Sequence, residues 1–186
     1  MLDKIIAFDK ECLVFLNSLG STTYDGLWLI ITQQVYWTPF FLFLAYLIYI
    51  KKGAKSLGLV VLFIGLILLC CNESVELFKE IFKRLRPCND PQLKGIIRVV
   101  HQSDTYSFFS GHAANSMATM TFIYLILQKE IKYIALVFLY PLIFAYSRIY
   151  LGVHFPGDIL TGYAFGLSFG VLSYKGFVYV QDKYKL

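Results

Sequence analysis

The chain has 186 residues, of which 58% are hydrophobic and only 16% are charged, and its mean hydropathy is +0.62. Soluble domains average about 25% charged residues, so this composition excludes an ordinary soluble domain and a disordered chain. The net charge of +5 favours contact with anionic lipid, and no basic run is interleaved with aromatic residues, so we expect no nucleic-acid partner. The length suits a single domain, residues 1–186.

The first 20 residues have the pattern of an amphipathic helix. One helical side carries Ile5, Phe8, Cys12, Phe15, Leu16 and Leu19, and the other carries Asp3, Lys4, Lys10, Glu11, Asn17 and Ser18. Asp9 interrupts the apolar side. We expect a helix that lies in the membrane interface, with a sixth, poor span as the alternative. Because charged residues at 9–11 interrupt this stretch, we expect no cleavable signal peptide.

Five apolar stretches follow in series. Their approximate bounds are 27–50, 57–71 with a more polar continuation to 84, 113–127, 131–151 and 159–180. Any one of the shorter stretches could be a core helix of a soluble protein, but five in series leave too little polar surface for that interpretation. The sequence therefore predicts an all-α fold: a polytopic transmembrane helix bundle with about five spans plus the N-terminal interfacial helix, or six helices in all.

Basic residues outside the motifs described below indicate an orientation for this bundle. With five spans, alternate connections share a membrane side. One side then carries six such residues, and the other carries eight, which are Lys51, Lys52, Lys55, Lys129, Lys132, Lys175, Lys183 and Lys185. Because cytoplasmic segments are enriched in Lys and Arg, we expect the second side to face the cytoplasm.

The four cysteines predict neither a metal site nor a disulfide framework. Cys70 and Cys71 are adjacent within an apolar stretch, and no pair among Cys12, Cys70, Cys71 and Cys88 has metal-ligand spacing. We therefore expect no bound metal and no cofactor.

Polar residues that could carry chemistry form three clusters, and the span layout brings all three to one membrane face. They are Lys79, Arg86 and Pro87 at the end of the second span, Ser110, Gly111 and His112 at the start of the third, and Ser147, Arg148, His154 and Asp158 between the fourth and fifth. An unpaired cation at membrane depth is costly, so the three cations of this set predict a bound anion. Arginine suits phosphate because it binds two oxygens at once.

The two histidines suggest the reaction. Asp158 follows His154 by four residues, a spacing that lets the carboxylate hold one ring nitrogen while the other is free to attack. His112 could then protonate the leaving oxygen, and Ser110 with Gly111 offers N–H groups at a helix start. Such a set describes phosphoryl transfer through a phosphohistidine. No metal is required, because lysine and arginine supply the positive charge.

These motifs resemble the signature of a known family. Lys79-x6-Arg86-Pro87, Ser110-Gly111-His112 and Ser147-Arg148-x5-His154-x3-Asp158 are similar to the three motifs of the type 2 phosphatidic acid phosphatase superfamily. The resemblance covers roughly residues 73–162 by motif and the whole chain by span layout. It implies that His154 is the nucleophile, Asp158 its partner and His112 the general acid. It also implies that the phosphate is held by Lys79, Arg86, Arg148, Ser110 and the Gly111 amide.

One position departs from the family pattern, in which a proline precedes Ser-Gly-His. Phe109 stands there in this chain. The proline shapes the loop and does not react, so we expect the substitution to leave the activity in place.

The resemblance further implies a metal-independent membrane enzyme that hydrolyses a phosphate monoester or pyrophosphate of a lipid. Soluble acid phosphatases and vanadium haloperoxidases of the superfamily are disfavoured by the composition. Candidate substrates are undecaprenyl pyrophosphate, phosphatidylglycerol phosphate and the phosphates of lipid A, met at the outer side of a bacterial inner membrane. We expect the phosphorylated lipid and the bilayer as partners, and no obligate protein partner. The 87–107 connection is expected to cover the site and set headgroup choice through Asp90, Lys94, Arg98, His101 and Asp104.

Two alternatives stay open. The chain could be a non-catalytic lipid-phosphate binder or transporter that uses the cations but not the histidines. A transporter is expected to show paired broken spans or a repeat, which are not evident, and a binder has no need for His154 and Asp158 at this spacing. At a finer level, Glu76 shares the helical face of Lys79, and a simple ion pair between them is at least as good an explanation as a catalytic role.

Overall fold

The structure, a computed structural model, describes residues 1–184 as helices joined by loops, with no strand in that range. Its helices are α1 Leu2–Ser18, α2 Asp25–Ile31, α3 Thr38–Phe82, α4 Gly111–Leu127, α5 Leu139–Tyr150 and α6 Pro156–Tyr184. The all-α class is therefore confirmed, and α1 covers the segment with the amphipathic pattern. Lys185, which entered the charge count, lies outside the described residues.

The first predicted span, 27–50, is not one continuous helix. Helix α2 ends at Ile31, a 3-10 turn follows at Gln34–Trp37, and α3 begins at Thr38. Pro39 occupies the first turn of α3. Proline has no N–H to donate within a helix and is tolerated at a helix start, so a new helix begins here.

Helix α3 contains a sharp turn at Gly53. Its φ of 82° lies in the left-handed region that glycine adopts without strain, and it separates two limbs, 38–52 and 54–82. These limbs correspond to the first two predicted spans. Among the described residues one segment, Gln34–Leu93, is long and apolar enough to cross a membrane, and Ile134–Tyr150 is a shorter apolar helix. The number of spans stays a prediction.

Helix α4 lies at the centre of the bundle and packs closely on α6. Gly162, Gly166 and Gly170 of α6 are spaced four residues apart and face α4. A Cβ at Gly162 would lie 2.7 Å from the Ser110 carbonyl oxygen, and one at Gly166 would lie closer still to that of Ala114. Small residues at this spacing let two helix backbones approach. The glycines therefore fix how the start of α4 lies against the start of α6.

The two ends of the bundle differ in chemistry. At one end Lys52 pairs with Glu130 at 2.8 Å, and Gln181 Nε2 donates to Ser56 Oγ at 3.1 Å. The opposite end gathers the C-terminus of α3, the start of α4, the end of α5 and the start of α6. Those are the four places that carry the three polar clusters.

We predict that Gly166→Ala lowers the stability of the fold by about 1–3 kcal/mol, because its methyl group would overlap the α4 backbone. The thermal unfolding midpoint in detergent should fall. Gly65→Ala, a helical glycine of α3 with open space around it, is the matched control and should leave the midpoint unchanged or raise it. Equal midpoints for the two variants would contradict the close packing of α4 on α6.

Candidate active site

The polar clusters converge on a cavity of about 610 Å³ at this end of the bundle. Six of the predicted site residues line it: Lys79, Arg86, Gly111, His112, Arg148 and His154. The other two, Ser110 and Asp158, are fully buried behind the cavity wall. The structure thus brings together all eight residues that the sequence singled out.

His154 is held between a carboxylate and a guanidinium. Its Nδ1 lies 3.4 Å from Asp158 Oδ2, and its Nε2 lies 3.0 Å from Arg86 Nη1. An arginine nitrogen can only donate a hydrogen bond, so Nε2 must be the acceptor and the ring proton must sit on Nδ1. In this tautomer Nε2 carries the unprotonated electron pair that a nucleophile needs, and here that pair accepts the Arg86 N–H.

The protonation state of His154 suits the same role. The residue lies in the loop between α5 and α6 and is 2% exposed. Burial lowers the pKa of His154 to about 4, and the hydrogen bond with Asp158 opposes this shift only in part. The imidazole is therefore neutral at neutral pH.

Arg86 is fixed by the loop that follows α3. Its Nε donates to the Thr105 carbonyl oxygen at 2.9 Å and its Nη2 to Thr105 Oγ1 at 2.8 Å, while Nη1 also reaches the Val153 carbonyl oxygen at 3.1 Å. No local pattern predicts Thr105 as a partner of Arg86, because the two residues are 19 positions apart. These bonds hold the guanidinium next to His154 Nε2, where it can donate hydrogen bonds to an anion.

Arg148 has an N–H group without an acceptor among the described residues. It is 8% exposed, its Nη1 donates to Thr32 Oγ1 at 2.6 Å, and its Nε is buried with no hydrogen-bond partner among residues 1–184. A buried donor without an acceptor costs free energy. An oxyanion in the cavity would provide that acceptor.

The start of α4 adds backbone donors. Ser110 Oγ caps the helix by accepting the Ala113 N–H at 3.4 Å, and the Ser110 N–H donates to the Asp158 carbonyl oxygen at 3.1 Å. The next two amides, of Gly111 and His112, have no acceptor within the helix. Since the N-terminal end of a helix carries partial positive charge, this corner of the cavity favours an anion.

The two remaining residues stand at the cavity wall. Lys79 Nζ pairs with Glu76 Oε1 at 2.7 Å, which confirms the expected ion pair on one face of α3. The His112 ring stacks on Phe144 with centroids 4.8 Å apart and an interplanar angle of 22°. This stacking orients the imidazole at the rim of the site.

The charged residues of the 87–107 connection were expected to cover the site, and the structure places them elsewhere. None of its five charged or titratable residues named above lines the cavity among the described residues. Asp90 pairs with Lys10 at 2.6 Å and Arg98 with Asp25 at 2.7 Å, so this loop is fastened to the N-terminal part of the chain. Its contribution to the site is made through Thr105.

Two further residues contact Asp158 directly or through one another, and sequence reasoning did not identify them. Arg84 contacts Asp158, and Asp9 contacts Arg84. The only signal for Asp9 was that it interrupts the apolar side of α1. Arg84 lies inside a motif at a position where the family signature allows any residue.

Known proteins share both the sequence pattern and the fold. The sequence model of the PAP2 superfamily matches residues 53–182. A protein of Porphyromonas gingivalis named lipid A 4'-phosphatase is 28% identical over 186 residues, which cover 98% of this chain and 78% of that protein. Phosphatidylglycerophosphatase B of Bacillus subtilis is 34% identical over 110 residues, covering 55% of this chain and 50% of that protein.

A solved structure has the same arrangement of helices. The crystal structure of a transmembrane PAP2-type phosphatidylglycerolphosphate phosphatase from Bacillus subtilis superimposes with a TM-score of 0.69 and 20% identity, covering 94% of this chain and 86% of that one. The family match extends over more than half of the sequence and includes every motif residue. The chain therefore belongs to the PAP2 superfamily, and it is a membrane phosphatase of that family.

Proposed function

We propose that this phosphatase hydrolyses the phosphate monoester or pyrophosphate of a lipid through a phosphohistidine at His154. The observation that carries the proposal is that His154 lines the cavity with its Nδ1 held by Asp158, while its unprotonated Nε2 accepts an N–H from Arg86, which a bound phosphate would draw away. A nucleophile oriented by a carboxylate and surrounded by phosphate-binding cations can form a covalent intermediate.

The reaction proceeds in two steps. His154 Nε2 attacks phosphorus, the bond from phosphorus to the lipid oxygen breaks, and His112 gives its proton to that oxygen. Water then attacks the phosphohistidine and loses a proton to His112, the bond from phosphorus to nitrogen breaks, and inorganic phosphate leaves. Arg86, Arg148, Lys79 and the first amides of α4 stabilise the negative charge of the equatorial oxygens in both steps.

The cavity supports a lipid as the substrate. From the histidines it continues between α3 and α4 along an apolar wall formed by Leu44, Ile48, Val60, Ile64 and Ile123. Large apolar side chains also cover the outer faces of the helices, among them Leu62, Leu66, Leu69, Leu160 and Leu172. A phosphate on a hydrophobic tail would place its charge at the cations while its chain stays in apolar surroundings.

Three lipids are candidates: a lipid A 4'-phosphate, phosphatidylglycerol phosphate and undecaprenyl pyrophosphate. Lipid A 4'-phosphate is the first to test, because the relative of that name matches almost the whole chain. Phosphatidylglycerol phosphate is the second, because its relative has higher identity over a shorter segment. Phosphate release by the purified protein from each lipid in turn tests the proposal, and no release from any of them would contradict it.

We predict that His154→Ala reduces kcat by about three orders of magnitude or more, because the nucleophile is removed. Phosphate release in detergent is the measurement, with monodisperse elution as the test of folding. His101→Ala is the matched control, because His101 is exposed and does not line the cavity. Retention of more than a few per cent of activity by His154→Ala would contradict the assignment.

We also predict that activity survives chelation of metal ions. Lys79, Arg86 and Arg148 already supply positive charge at the phosphate, so EDTA should leave kcat unchanged within about two-fold. Complete loss in EDTA that magnesium restores would show that these cations do not neutralise the transition state.

The active site is proposed to face the exterior of a bacterial inner membrane, on the basis of the charge count. Single cysteines test this in a background without Cys12, Cys70, Cys71 and Cys88. A cysteine at Asp104 lies near the active site, and one at Gln128 lies at the opposite end of α4; both positions are exposed. In intact cells an impermeant thiol reagent should label the first and should label the second only after lysis. The reverse pattern would place the active site in the cytoplasm.

A further inference from the structure

The Asp158 side chain contacts a second side chain besides that of His154, namely Arg84. The carboxylate is fully buried, and its Oδ2 serves His154 Nδ1 and the Phe155 N–H. Its other oxygen, Oδ1, accepts a hydrogen bond from Arg84 Nη1 at 2.8 Å. The Arg84 guanidinium also lies over the Phe155 ring, with its Cζ 3.8 Å from the ring centroid. The ring and the Asp158 carboxylate together fix the orientation of the guanidinium.

Arg84 is in turn held by the N-terminal helix. Its Nη2 donates to Asp9 Oδ2 at 2.6 Å, and the second oxygen of Asp9 accepts the Gly157 N–H at 2.7 Å. Gly157 stands in the first turn of α6, one residue before Asp158. The Asp9 carboxylate thus binds both the guanidinium that holds Asp158 and the helix end that carries it.

This chain of contacts explains an oddity of the sequence. Asp9 breaks the apolar side of an otherwise amphipathic helix, and here that position faces the active site. Its side chain is 12% exposed and that of Arg84 is 24% exposed. A charged pair kept this far from solvent needs its hydrogen bonds satisfied, and each partner here satisfies the other.

We infer that Arg84 and Asp9 are positioning residues for the His154–Asp158 pair, through which α1 helps to set the geometry of the active site. Neither side chain lines the cavity, so we assign neither a contact with the substrate. Arg84 fixes the plane of the Asp158 carboxylate and keeps it charged, and the carboxylate then holds the Nδ1 proton of His154. Asp9 fixes Arg84. The inference rests on the proposed phosphatase reaction and deepens it.

The test compares kcat and KM of Arg84→Gln with those of the wild type, on whichever candidate lipid the wild type hydrolyses fastest. Loss of a group that orients a reacting histidine should lower kcat by about ten- to one-hundred-fold, the range seen for outer partners of metal-bound histidines. KM should stay within about three-fold, because the phosphate contacts remain. Lys83→Gln removes the neighbouring, exposed cation and should behave as the wild type does.

Two more variants separate positioning from general stability. Arg84→Lys should recover part of kcat, because the ammonium keeps the positive charge but lacks the planar fork of donors by which the guanidinium holds Asp158 and Asp9. Asp9→Asn should lower kcat by roughly three- to ten-fold, by analogy with those outer partners, while Asp3→Asn on the exposed side of α1 should not. The double variant of Asp9→Asn and Arg84→Gln should be no slower than Arg84→Gln alone, because the two act in series.

Several results would overturn the inference. One is an Arg84→Gln enzyme with wild-type kcat, another is a raised KM with kcat unchanged, and a third is additive losses in the double variant. If Arg84→Gln does not elute as a folded protein, the comparison of Asp9→Asn with Asp3→Asn decides. A wild type that releases phosphate from no candidate lipid would contradict the proposed function itself, and the inference would fall with it.

Discussion

A carboxylate without access to solvent must be fully paired, and the active site of this protein is arranged around one such group. Asp158 is wholly buried at the start of α6. One of its oxygens serves His154 and the Phe155 amide, the other serves Arg84, and its main-chain carbonyl accepts the Ser110 N–H. Breaking a buried ion pair by removing one partner costs several kcal/mol. The same residue therefore fixes His154 through its carboxylate and the start of α4 through its carbonyl group.

The packing of α6 on α4 makes this arrangement possible. Gly162, Gly166 and Gly170 let the two helices approach until the Ser110 amide reaches the Asp158 carbonyl oxygen. The start of α4 and the loop that carries His154 are consequently held by the same contact. Preorganised donors need no rearrangement as charge develops in the reaction, which is how such sites accelerate phosphoryl transfer.

Much of the site could be predicted from the sequence because its chemistry is local. His154 and Asp158 are only four residues apart, so the loop and the first turn of α6 bring them together, and Ser110 before an apolar run predicts a helix cap. The break near Thr38 is also visible in retrospect, because Pro39 cannot continue a helix. Residues 27–50 were predicted as one span because they are mostly apolar, and a hydrophobic run alone does not show where a helix ends.

The contacts that were missed join residues far apart in the chain. Arg84 and Asp9 are separated by 75 residues, and Arg148 and Thr32 by 116. Periodicity and spacing cannot place such partners, since they depend on how whole helices pack. The prediction that the charged residues of the 87–107 connection cover the site was wrong for the same reason. Arg98 pairs with Asp25 at 2.7 Å, and neither residue lines the cavity.

The central claim is that His154 becomes covalently phosphorylated, and a trapped intermediate tests it most directly. The purified enzyme is mixed with a lipid carrying radiolabelled phosphate, quenched with alkali within milliseconds, digested, and the labelled peptide is sequenced. The account predicts label that survives alkali, is lost in acid, and lies on the peptide containing His154. Label on another residue, or steady turnover with no labelled protein at any quench time, would contradict it.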